Sequence, residues 1–237
     1  MSDEPVDLDD LSTTVRAVAQ SAARLQEVVP DAVLVGGSAA ALYANHRDSF
    51  DHDHVLTDLA ERYEQVLEAV EATDGWVTSV RASRPPMTLM GSLGGIEAGL
   101  RQLRRTRPLE VTEIEVPRVG TLRIPTLAEI LRIKAYLIVQ RNQVRDYVDV
   151  VALADRIGTT PAAGILGDID QYYDDRSGGE DSVATAVVQR LSEPNPRDVT
   201  VTKQLATYKG LATKWQAWSA VTAACSDLAA AIVEGWQ

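Results

Sequence analysis

The stretch Val33-Leu-Val-Gly-Gly-Ser-Ala-Ala-Ala-Leu-Tyr-Ala-Asn-His-Arg-Asp-Ser-Phe-Asp-His-Asp-His54 decides the fold. A short aliphatic run enters Gly36-Gly37-Ser38, a set of small residues follows, and Asp51 and Asp53 then stand one residue apart. Side chains of an extended strand alternate between faces, so the two aspartates project together and His52 and His54 project the other way. Two carboxylates on one face are placed to share a divalent cation. A Gly-Ser turn that opens a helix offers backbone N–H groups to a phosphate. The two halves together predict a metal-dependent site for a nucleoside triphosphate, with His52 and His54 as packed residues rather than ligands.

Working outward, apolar residues at helical spacing predict a helix over 11–29, stopped by Pro30-Asp31. A buried strand is expected at 32–35, a helix at 38–45, a second strand at 50–56 and a helix at 57–73. Strands are then predicted at 76–82, 87–93 and 96–103, with turns at Arg84-Pro85-Pro86 and Gly94-Gly95. Two more, at 110–116 and 121–124, are expected to complete a mixed sheet. After Pro125 the pattern becomes helical. Thr126 and Glu129 form a capping-box signature for a helix from 127 to about 140, and 142–156 continues or restarts it. Residues 158–181 read as a surface loop or short-helix region. Helices follow at 182–192 and 199–235, the latter broken near Gly210, with Trp215, Trp218 and Trp236 as packing residues. The fold class is α/β: a core with a mixed sheet over 1–125, then a helical region over 126–237 that completes the active site.

Composition narrows the chemistry. The 237 residues are 45% apolar, and no uninterrupted apolar run approaches the ~20 residues a membrane span needs. The acidic, polar N-terminus is the reverse of a signal peptide, so a cytoplasmic location is expected. Cys225 stands alone and reads as a small buried residue. With three histidines and one cysteine, a Cys/His zinc site is implausible, and an oxygen-ligated cation, Mg2+ or Mn2+, is expected. A net charge of −11 argues against broad adhesion to nucleic acid. It leaves room for a local basic site, such as Arg101, Arg104, Arg105 and Arg107.

The order strand, Gly36-Gly37-Ser38, helix, Asp51-x-Asp53 resembles the DNA polymerase β-like nucleotidyltransferase superfamily. A finer resemblance, to the AbiEii-type toxin family of abortive-infection and toxin–antitoxin systems, rests on Gly36-Gly37-Ser38-Ala39 with His46-Arg47-x-Ser49-x-Asp51-x-Asp53. It extends to Lys134, Arg141 and Arg145-Asp146-x-x-Asp149, and covers roughly residues 30–156. The resemblance implies an α/β nucleotidyltransferase core in which Asp51 and Asp53 hold the metal. It implies that Gly36, Gly37 and Ser38 bind the triphosphate, that Lys134 with Arg141 or Arg145 neutralises it, and that Asp146 orients the nucleotide or the lysine.

The superfamily also carries a third carboxylate on a neighbouring strand. Gly99 occupies the expected position. Glu97, two residues earlier on the same face, is the candidate substitute, with Glu113 and Glu115 as alternatives. At about 100° per residue, a continuous helix would set Lys134, Arg141, Arg145 and Asp149 in one stripe. Asp146 would join them only if the helix broke near Asn142.

By family analogy the acceptor is RNA, the 3′ end of transfer RNA, and the biology is a toxin restrained by a cognate antitoxin protein. The alternatives are a small-molecule, antibiotic-type nucleotidyltransferase and a non-catalytic relative that binds nucleotide.

Overall fold

The computed structural model describes residues 4–173, 182–208 and 210–236. The chain forms two compact units. One comprises Val6–Leu42 and Asp48–Thr126. The other comprises Tyr43–Arg47 and the chain from Leu127 onward.

In the first unit, helix α1 (Thr13–Val28) starts at Ser12, whose hydroxyl accepts from the Val15 N–H and donates to Asp48 Oδ1 at 2.6 Å. Strand β1 (Val33–Val35) leads into helix α2 (Gly36–Ala44), and strand β2 (Asp51–Leu56) follows. Helix α3 (Tyr63–Glu71) precedes β3 (Trp76–Thr78), β4 (Thr88–Leu93) and β5 (Ile96–Gln102). These strands form one mixed sheet in the order β1-β2-β5-β4-β3, with β2 parallel to β5 and the other pairs antiparallel. Leu56, Leu89, Ala98 and Leu100 on one face of the sheet pack with Leu25 of α1 and Tyr63, Val66 and Val70 of α3.

Three expectations need correction here. Strands β6 (Val111–Val116) and β7 (Gly120–Pro125) pair only with each other, as a separate antiparallel ribbon. They do not extend the five-stranded sheet, whose edges are β1 and β3. The helix expected at 57–73 is shorter, since residues 58–62 form a turn in which the Glu61 and Arg62 amides donate to the Asp58 carbonyl. The strand expected at 76–82 ends at Thr78. There the chain turns and the Ser83 amide donates to the Ser79 carbonyl.

The second unit is helical: α4 (Leu127–Arg141), α5 (Val144–Ile157), α6 (Thr159–Gly167), α7 (Asp170–Tyr173), α8 (Val183–Ser192) and α9 (Trp218–Gly235), with 3-10 segments at Val199–Thr207 and Thr213–Trp215. The helix through the 140s is broken rather than continuous. Asn142 adopts φ 52°, a left-handed conformation that asparagine tolerates at a helix end. Its side chain bonds the Asn195 carbonyl and the Tyr147 hydroxyl, and Asp198 Oδ1 accepts from the Val144 N–H at the start of α5. The region read as surface loop contains α6, which packs on α9 and buries Ala162 and Leu166. The Asp-Asp and Ser-Gly-Gly-Glu-Asp part of that region, 174–181, lies outside the described residues. Cys225 and Trp215 are buried, whereas Trp236 is half exposed. Among the described residues no helix is long and apolar enough to cross a membrane.

The alternation of β2 is expressed in full: His52 and His54 are completely buried, and Asp51 and Asp53 are not. His52 Nε2 lies 3.0 Å from the Ser21 hydroxyl of α1, and its ring stands edge-on to His54 at 5.2 Å. Burial pushes His52 down to about 4, only partly opposed by Asp51, and burial followed by the neighbouring His52 holds His54 well below its usual 6.5. The unfolded chain therefore takes up protons below pH 6.5 that the native state refuses, so stability is complete above that pH and falls as pH drops toward 4. A change from 6.5 to about 4 at His52 corresponds to about 3 kcal/mol. Urea titrations between about pH 7.5 and 4.5 should show that loss, and His52→Leu should lessen it, leaving the shares of His54 and His46. A midpoint independent of pH across this window would refute the assignment.

Candidate active site

In the sheet unit, the turn from β1 into α2 requires φ +77° at Gly36, a conformation L side chains rarely adopt. This turn sets the start of α2 against β2: a Cβ at Gly36 would lie 3.8 Å from the Asp53 Cβ. The opening N–H groups of a helix have no intrahelical acceptor, and here they belong to Gly36, Gly37 and Ser38. The Ser38 hydroxyl has a different task from the expected phosphate contact. It is buried and donates to the Asp51 carbonyl at 2.5 Å, tying the helix start to the strand. Any phosphate contact at Ser38 is thus left to its backbone N–H.

Asp51 is exposed, and its Oδ1 accepts from the Ser49 hydroxyl at 3.1 Å. Asp53 is about one-third exposed and pairs with Arg101 Nε at 3.2 Å. Across the parallel pairing, Asp51 stands opposite Glu97 and Asp53 opposite Gly99. Glu97 is exposed on the same strand as Gly99. At Gly99 an added Cβ would fall 2.4 Å from Asp53 Oδ1 and 2.9 Å from Met90 Sδ. A side chain there is incompatible with the observed position of Asp53. Glu113 and Glu115 lie on β6, in the separate ribbon.

Among the described residues no group of three or more His, Cys, Asp or Glu side chains gathers tightly enough to cage a metal ion. The donors present nevertheless suit magnesium. Mg2+ commonly takes one or two carboxylates, completing its shell with water and substrate phosphate oxygens. Asp51 and Asp53 are two hard oxygen donors on one open strand face beside a helix start.

The helical unit contains a second charged assembly. Asp149 of α5 is wholly buried. It accepts from Lys134 Nζ at 2.7 Å, from Arg47 Nε and Nη2 at 2.7 and 3.0 Å, and pairs with His46 Nε2 at 2.7 Å. Burial alone would raise the Asp149 carboxyl, but Arg47, Lys134 and the His46 hydrogen bond overcome it and hold the group well below the carboxylate range. Burial lowers both His46 and Lys134 against the pull of Asp149. Asp146, also buried, forms a two-bond pair with Arg141 at 2.7 and 2.6 Å.

Lys134, Arg141 and Asp146 are therefore engaged within this unit, and no continuous stripe exists. Arg145 differs. It forms no ion pair among the described residues, and its Nε is buried without a partner. Burial raises the nearby Tyr208 phenol, which feels Arg47, Asp149 and Arg145.

Residue spacing sets Asp149 in a stripe with Lys134, Arg141 and Arg145 and does not join it to His46-Arg47. The only signal in the sequence is a pair of cationic residues just before the aspartates and a carboxylate that a helix break turns toward Lys134. By sequence, Arg101 is no more than one member of a basic run.

No family model matches the chain. MmpL11 of Mycobacterium tuberculosis, a heme uptake protein, is 31% identical over 212 residues, covering 79% of this chain and 20% of that protein. The chain thus spans about a fifth of the curated relatives it matches. Among solved structures it is similar to MenT4, a nucleotidyltransferase toxin of M. tuberculosis H37Rv, with TM-score 0.58 and 18% identity over 93% of this chain and 83% of that one. It is also similar to JHP933 of Helicobacter pylori, with TM-score 0.53 and 17% identity over 95% and 94% of the two chains. These likenesses concern the fold, an α/β core with a mixed sheet followed by helices.

Breaking one partner of a buried ion pair costs about 3–5 kcal/mol. Asp149→Asn, which removes the carboxylate charge that Arg47 and Lys134 share, is expected to cost that much in urea denaturation followed by circular dichroism. Lys134→Met should cost less, because the Arg47–Asp149 pair survives and the buried ammonium is already disfavoured. Equal losses would contradict the ranking.

Proposed function

We propose that this chain is a magnesium-dependent nucleotidyltransferase that moves a nucleoside monophosphate from a nucleoside triphosphate to an acceptor hydroxyl, with pyrophosphate leaving. The observation that carries the reading is the placement of Asp51 and Asp53 on one open face of β2, beside the residues that start α2. Asp51 and Asp53 hold the cation, which when bound supplies charge neutralisation for the phosphates. The Gly36, Gly37 and Ser38 amides donate to phosphate oxygens. Glu97, opposite Asp51 and open to solvent, takes the acceptor's proton. In the helical unit, Lys134 acts through Asp149 by fixing α4 to α5.

The acceptor we infer is RNA, the 3′ end of transfer RNA, with growth inhibition relieved by a cognate antitoxin protein and a cytoplasmic site of action. This rests on the motif resemblance and is compatible with the likeness to a toxin fold. The transport activities of the longer matched relatives are not carried over. A second reading, a nucleotide-binding relative without catalysis, draws on Gly99 and on the Arg101–Asp53 pair.

Incubation of the wild type and the Asp51→Ala, Asp53→Ala double variant with labelled triphosphates, Mg2+ and total RNA tests the reaction. Wild type should label RNA, and the double variant should fall at least about 100-fold, the scale of a lost charge-stabilising contact. Equal labelling by the two would overturn the mechanism. Triphosphate binding without pyrophosphate release would favour the second reading. RNA affinity should fall steeply between about 50 and 200 mM salt, by roughly tenfold or more if several phosphates are contacted. A salt-independent acceptor KM would point instead to a small-molecule substrate, which the net charge of −11 favours.

A further inference from the structure

The face of β2 and β5 that carries Asp53 has an unusual charge arrangement. Where the strand pairing sets Gly99 opposite Asp53, there is no room for a side chain. Two residues further along the same face, Arg101 reaches back across the strands and donates from Nε to Asp53 Oδ1 at 3.2 Å. Diagonal neighbours of this kind lie within reach of a long side chain. The guanidinium also rests on Met90, with Nη2 3.6 Å from Sδ, and Met90 is paired with Gly99 from the other side. Met90, Gly99 and Asp53 thus form the seat on which Arg101 lies.

This pair differs from the Asp149 assembly in every property that governs release. It is a single hydrogen bond, and both partners are open to water, Asp53 at 31% and Arg101 at 44% side-chain exposure. Exposed pairs contribute about 0.2–1 kcal/mol and are readily exchanged. The pairs on Asp149 are at most 5% exposed and cannot be broken cheaply. The strand face therefore has a cation already lodged on a carboxylate assigned to a metal.

We propose that Arg101 is a displaceable counter-ion of Asp53, a positioning residue that holds the carboxylate when no metal is bound and must release it for a divalent cation to enter. The inference rests on the assignment of Asp51 and Asp53 as cation ligands. Its consequence is that the free protein binds a bare divalent cation weakly, because the cation competes with a guanidinium that never loses its charge.

The test is calorimetric titration of Mn2+ alone into the full-length chain. Arg101→Ala should bind Mn2+ roughly three- to tenfold more tightly than wild type, through loss of the competing pair and of like-charge repulsion. Arg101→Lys, which restores the charge, should return affinity toward the wild-type value. Adding Asp53→Ala should abolish the difference between the Arg101→Ala variant and the protein that keeps Arg101. Raising salt should narrow the gap, a response that lost packing alone would not produce. If Arg101→Ala binds Mn2+ no more tightly than wild type while both label RNA, the counter-ion assignment fails and the nucleotidyltransferase reading stands. If neither protein takes up Mn2+, with or without triphosphate, both fail.

Discussion

The sheet unit depends on the register of β2 between β1 and β5. Side chains on a strand repeat with period two, so a slip of one residue would bury Asp51 and Asp53 and expose His52 and His54. The cost of burying two unpaired carboxylates excludes that alternative. The observed register places both histidines in the interior, neutral, with Ser21 against one of them. The same pairing that builds the core sets the two aspartates beside the start of α2.

Burial separates two kinds of ion pair in this protein. Around Asp149, Arg47, Lys134 and His46 are almost fully withdrawn from water, and each element that contributes a partner is fixed by the carboxylate they share. These groups serve the architecture of the helical unit. Asp53 and Arg101 remain hydrated, and their pairing can be exchanged for another cation. The residue types are nearly the same in both places. Solvent access decides which pair is permanent.

Much of the site is legible from local pattern. The Gly36-Gly37-Ser38 turn, the face shared by Asp51 and Asp53 and the inward histidines follow from backbone periodicity and from the glycine that a positive φ demands. Residue pattern leaves a helix that continues through Asn142 and one that restarts there both open, and the left-handed backbone of Asn142 decides for the break. What is not legible depends on distant partners. Nothing local distinguishes a strand that joins the main sheet from β6, which pairs only with β7. Ser38 has a hydroxyl suited to phosphate, but a carbonyl thirteen residues away receives it.

The sequence by itself determined the alternation of the aspartate strand, the helix start next to it and the change to helix after Pro125, because these rest on interactions within a few residues. Only the tertiary structure decided the charge partners. It paired Asp149 with His46 and Arg47 across about a hundred residues of chain and laid Arg101 on Asp53 over Gly99. Coulombic attraction depends on distance in space and on exclusion of water, and neither quantity is written in residue spacing.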